Sequence, residues 1–151
     1  MIRDDIKAAQ IAAMKARDTA TVNATRLIQA AIKNRDIELR TASTTPDDDL
    51  TVTEVLQKMI KQRRESIEMF EKGGRQELAD GEKAEVAVIE RFLPAQMSEA
   101  DAALAIDAIA TELGATSVKD MGRVMAALKE KHAGQLDMSK ASALVKARLA
   151  G

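Results

Sequence analysis

The chain has no cysteine, no tryptophan and no tyrosine, a single histidine and two phenylalanines, Phe70 and Phe92. Without cysteine there is no disulfide scaffold, no thiolate metal site and no cysteine nucleophile, and a reducing cytoplasm is the expected location. With so few aromatics the core must be built from Ala, Leu, Ile, Val and eight Met. That favours close-packed helices with flexible methionines filling the gaps. No stretch approaches the roughly 20 successive apolar residues that a membrane helix needs. The opening MIRDDIKAAQ has acids where a signal peptide carries a basic start and an apolar run, so no membrane association is expected.

An excess of charge of either sign is missing as well. The formal net charge is -1; dividing at Pro94 gives 16 basic against 17 acidic residues before it and 7 against 7 after it. A nucleic-acid role therefore has to rest on local patches. Hydrophobic residues at 46% and charged residues at 31% exclude wholesale disorder and fit a helical protein with a charged surface.

What is present is a helical period. Ile2, Ile6, Ala9, Ala13 and Met14 form one stripe, while Arg3, Asp4, Lys7 and Lys15 stay off it, which predicts an amphipathic first helix. The Thr19 to Thr21 stretch then supplies a turn and an N-cap, and Ile28, Ala31, Ile32 and Leu39 carry a second helix to about Arg40. TASTTPDDDL, from Thr41, breaks the pattern and predicts an exposed loop. Thr51 with Glu54 has the form of a capping box, opening a long third helix that Gly73 and Gly74 end. A fourth helix starts near Arg75, or near Glu82 after a bend at Gly81, and runs to Pro94. Ser98 with Asp101, Ser117 with Asp120, and Ser139 each mark a further helix start, with Gly114 and Gly134 as stops. No useful strand-period alternation occurs. The expectation is all-α: an N-terminal helical domain over 1–94 and a three-helix tail domain over 95–151.

Candidate sites are few. Lys58, Lys61 and Arg64 recur every three residues along one helix edge and could grip phosphates; the alternative is a solvated face partly neutralised by Glu65 and Glu68. His132 lies at a helix end with no second His or Cys to make a metal site, as an ordinary C-terminal cation would. Asp47, Asp48 and Asp49 lack the alternating ligands and central glycine of a calcium loop. There is no phosphate-binding glycine motif, metalloprotease helix motif or nucleophile elbow, so no catalytic, cofactor or metal residues are assigned. Gly122 is out of place, because glycine costs a helix interior about 1 kcal/mol relative to alanine. It implies close approach either of a neighbouring helix or of a partner's backbone, with Lys119 and Arg123 beside it.

Several segments together resemble the GatB/YqeY family, free-standing relatives of the tail of the B subunit of glutamine-dependent tRNA amidotransferase. They are Ala30-Ala31-Ile32-Lys33-Asn34, Lys61-Gln62-Arg63-Arg64-Glu65-Ser66, Gly74-Arg75-Gln76-Glu77-Leu78, Phe92-Leu93-Pro94-Ala95-Gln96, Lys119-Asp120-Met121-Gly122-Arg123-Val124-Met125 and Val145-Lys146. The family pattern favours Gly-Arg-Ala-Asp where this chain has Gly134-Gln135-Leu136-Asp137. The resemblance implies a three-helix tail that helps hold tRNA; the RNA-binding candidates are the local cation sets, Lys58, Lys61 and Arg64 or Lys119, Arg123, Lys140 and Lys146, one of which has to form a single face. It also implies a link to carbon-nitrogen ligases with glutamine as amido-N-donor, although the chemistry belongs to other parts of that enzyme. The partners implied are tRNA and the amidotransferase or aminoacyl-tRNA machinery. The competing expectation is a protein-interaction adaptor that binds its partner through an apolar helical groove.

Overall fold

A computed structural model describes residues 1–42, 47–132 and 134–150. Among them are seven α-helices, one short 3-10 turn and no strand: α1 (Ile2–Lys15), α2 (Thr19–Leu39), α3 (Asp48–Lys72), α4 (Gln76–Glu90), α5 (Glu99–Leu113), the turn Val118–Asp120, α6 (Met121–Lys131) and α7 (Met138–Ala150). The fold is all-α. The chain divides into two compact units, Met1–Leu93 and Pro94–Gly151.

In the first unit α1 packs on α2, α3 on α4, and α2 meets both α3 and α4. The core is aliphatic: Ile6, Ile28, Ile32, Val52, Leu56, Met59, Ile60, Val86 and Ile89 are buried together. Each large side chain moved out of water contributes about 1.5–3 kcal/mol. Arg3 ties three helices at their ends. Its guanidinium donates to both carboxylate oxygens of Asp36 on α2, at 2.8 and 3.0 Å, and to both of Asp48 on α3, at 2.8 and 3.3 Å. Asp49 adds a bond from the backbone N–H of Ile2 at 3.0 Å.

These contacts correct the expected loop. Asp48 and Asp49 belong to the first turn of α3, where carboxylates favour the positive end of the helix dipole. Asp47 is the N-cap, accepting from Leu50 N–H at 3.1 Å, whereas Thr51 lies a turn further in and is buried. The 43–46 part of that loop lies outside the described residues. The start of α2 is corrected in the same way: Asp18, not a threonine of the 19–21 stretch, is the cap, taking Thr21 N–H at 3.1 Å and Thr21 Oγ1–H at 2.6 Å.

Three helices end in one motif. After α3 and α5, Gly74 (φ 73°) and Gly114 (φ 65°) turn into the left-handed region, and the next residue's N–H reaches back to Phe70 O at 2.7 Å or Ala110 O at 2.9 Å. After α1 the same two bonds form, Arg17 N–H to Met14 O at 3.3 Å and Asp18 N–H to Ala13 O at 2.9 Å, but the left-handed residue is Arg17 (φ 57°). Gly81 sits inside α4, which runs unbroken from its cap Arg75 and stops at Glu90, short of Pro94.

The second unit packs α5, α6 and α7 each against the other two. Its core includes Ala102, Ile106, Ala110, Val124, Leu128, Ala141, Val145 and Leu149. Alanines at the contacts let the helix backbones approach closely. The chain enters this unit pinned to the turn before α7: Met97 N–H donates to Gln135 O at 2.9 Å, and the Gln96 amide donates to Gly134 O at 2.7 Å. At the start of α7 the expected cap Ser139 gives way to Asp137, whose carboxylate accepts Ser139 N–H at 2.9 Å.

Candidate nucleic-acid interface

The seven candidate cations fall into two sets, one in each unit. In the first unit Lys58, Lys61 and Arg64 are exposed on α3. For Arg64 and Glu68 the partners differ from those expected along the helix. Arg64 pairs with Glu90 of α4 at 3.1 Å, while Glu68 pairs with Lys72 at 2.9 Å. Arg63, between them, lies largely buried and pairs with Glu85 of α4 at 2.8 Å, with a further bond to Met59 O at 3.4 Å. The arginines of this run thus serve the α3–α4 contact.

In the second unit Lys119, Arg123, Lys140 and Lys146 are all exposed. Lys119 lies in the 3-10 turn, which packs against both α6 and α7. Lys119, Lys140 and Lys146 make no ion pair among the described residues, so their ammonium groups are open to a ligand. Arg123 is engaged: it donates to Leu113 O at 3.3 Å and to Asp120 Oδ1 at 3.3 Å. Asp120 in turn accepts Thr116 N–H at 3.1 Å, and this backbone bond, with help from Ser117 N–H and Arg123, holds its carboxyl below the usual range. Ser117 itself makes no side-chain cap bond; Asp120 does that work from the other end of the turn.

Gly122 corrects the sequence reading most directly. It is exposed, in the first turn of α6, and a Cβ added there would meet nothing within 4 Å. The expected close packing against a helix of its own unit is absent, and the open face lies between Lys119 and Arg123 along the chain.

Two ion pairs of the second unit join its helices. Lys131 pairs with Glu112 at 2.7 Å and Arg148 with Asp107 at 2.6 Å, tying α6 and α7 to α5. His132 Nδ1 lies 3.1 Å from Gln135 Oε1, at the end of α6. No group of three His, Cys, Asp or Glu among the described residues is placed to hold a metal ion, Asp47 to Asp49 included. None of the described helices is long and apolar enough to cross a membrane. Sequence reasoning missed Lys7 on α1 and Lys33 on α2, which line one groove in the first unit. Only the pairing of α1 with α2 brings them together.

The described residues form an all-α chain of two helical units, the second a three-helix bundle. The chain belongs to the family described as Yqey-like protein, whose model matches residues 3–149. Among its relatives is the Altered inheritance of mitochondria protein 41, mitochondrial, of Eremothecium gossypii, 35% identical over 118 residues that make up 76% of this chain and 60% of that protein. An uncharacterized protein of Schizosaccharomyces pombe is 39% identical over 42% of this chain and 52% of its own length. The Vanderwaltozyma polyspora protein with the same name as the first is 33% identical over 54% of this chain and 42% of that protein. The chain thus spans less than two thirds of the length of each of these relatives.

Proposed function

We propose that the second unit is a tRNA-contacting module associated with a tRNA amidotransferase or the aminoacyl-tRNA machinery, and that it acts by holding RNA in the cytoplasm rather than by catalysis. The observation that carries this reading is Gly122. A glycine in the first turn of a helix, where a Cβ would meet nothing within 4 Å among the described residues and with Lys119 and Arg123 beside it, suits the close approach of a phosphodiester backbone. Lys119, Lys140 and Lys146 are free of intramolecular ion pairs among the described residues, so an approaching phosphate does not have to break one. The link to glutamine-dependent carbon-nitrogen ligases is one of kinship; in this reading amide transfer is performed by other components.

The RNA contacts are mainly to phosphates, because a chain with no Trp or Tyr has little with which to stack on unpaired bases. Affinity therefore falls steeply as salt rises. Fluorescence anisotropy with folded tRNA at several salt concentrations tests this. Replacing Lys119 and Arg123 together by Ala should weaken binding and flatten the salt slope by about 1 to 2 units. Binding that is absent at low salt, or indifferent to salt and to the double variant, refutes the proposal in favour of an adaptor that docks through apolar surface.

A further inference from the structure

The groove between α1 and α2 in the first unit has a volume of about 380 Å³ and is lined by Arg3, Asp4, Ile6, Lys7, Gln29, Ile32, Lys33 and Asp36. Its charges are not equivalent. The Arg3 fork is already filled by the Asp36 and Asp48 carboxylates. Lys7 and Lys33, one from each wall, are exposed and make no ion pair among the described residues. Asp4 is the one lining carboxylate not bound to Arg3, so Lys7 and Lys33 face a single uncommitted acid among the lining residues. Ile6 and Ile32, both buried, form its apolar floor.

We propose that this groove binds a phosphoryl anion, held between the ammonium groups of Lys7 and Lys33 with the Gln29 amide as a further donor. A planar carboxylate is best met by the flat fork of an arginine, and the only arginine here is taken. Two point-charge ammonium groups on opposite walls instead suit a tetrahedral anion, which offers oxygens in several directions. The floor has no aromatic ring, so the site reads the phosphoryl group and not a base. This site stands on its own geometry and does not depend on the RNA reading of the second unit.

The phosphoryl group can come from an RNA backbone or from a small phosphorylated ligand, and two arms of one experiment separate them. In the first, sodium pyrophosphate is titrated into the full chain while amide NMR shifts are followed. Saturable shifts at Ile6, Lys7, Gln29, Ile32 and Lys33 are expected, weakened about tenfold or more in Lys7→Gln/Lys33→Gln, a loss of ~1.4 kcal/mol or more. They should be unchanged in Lys15→Gln, which removes an exposed lysine outside the groove. In the second arm, folded tRNA is titrated into the same proteins. A matching loss in the double variant identifies a backbone phosphate, whereas loss of pyrophosphate binding alone identifies a small ligand. Should the double variant melt early by circular dichroism, each single variant is read in its place. Shifts that never saturate, that spread over exposed lysines alike, or that survive in the lysine variants overturn the proposal. Failure here leaves the Lys119 and Arg123 test untouched, and the reverse also holds.

Discussion

Arg123 of α6 donates to the carbonyl oxygen of Leu113, the last residue of α5, at 3.3 Å. A cation at a helix C-terminus meets both an unsatisfied carbonyl and the negative end of the dipole, an effect worth about 0.3–1 kcal/mol at an exposed site. One residue of the proposed RNA contact therefore also holds two helices of its own unit.

That dual role gives the first prediction. Arg123→Ala should lower both stability and RNA affinity, Lys119→Ala only affinity. Urea melts beside the anisotropy titrations check it; a stability loss in Lys119→Ala as large as that in Arg123→Ala would contradict it.

The same substitution at two glycines of one unit should have opposite signs. Gly114→Ala forces a Cβ into the left-handed region with no steric contact to blame, and should cost about 1–2 kcal/mol. Gly122→Ala removes backbone freedom at an open helical site and should add up to about 1 kcal/mol of stability. Under the RNA reading Gly122→Ala also weakens tRNA binding, so it would be more stable and less active at once. Thermal melts and anisotropy on the two variants decide this.

Arg17 stands where the other two helix ends have glycine, and its left-handed backbone carries a cost of about 1 kcal/mol or more. Arg17→Gly should stabilise the first unit by a fraction of that, the rest being offset by the greater freedom of glycine in the unfolded chain. A lower melting temperature in this variant would count against it.

The acid limb of stability should depend on Asp36. Its hydrogen bonds from Arg3 hold its carboxyl below the usual carboxylate range. A group whose folded value is depressed contributes stability that is present above its unfolded value, about 3.9, and is lost as pH falls through the lower folded value. Denaturant melts should therefore show the Arg3–Asp36 contribution intact at pH 6 and fading below about pH 4. Asp36→Asn should be less stable than the parent at pH 6 and converge on it toward pH 3.

How far the sequence could be read follows from the range of the forces involved. The all-α class, the glycine stops at Gly74 and Gly114 and the cap at Ser98 depend on residues a turn or less apart, and they are legible. The α1 stop was hidden because Arg17 uses a glycine conformation without being one. Asp48 and Asp49 looked like loop acids because their partners, Arg3 and Ile2, are more than 40 residues away. Gly122 is anomalous in the sequence, but whether the space of its missing side chain is filled by a helix or left open is a question of tertiary packing. Lys7 and Lys33 were invisible as a pair, since no local rule joins α1 to α2.

The buried clusters described above each close within one unit: Ile6 to Ile89 in the first, Ala102 to Leu149 in the second. Each of these cores is assembled from the side chains of a single unit. A cut of the chain near Pro94 is therefore expected to leave both hydrophobic interiors closed.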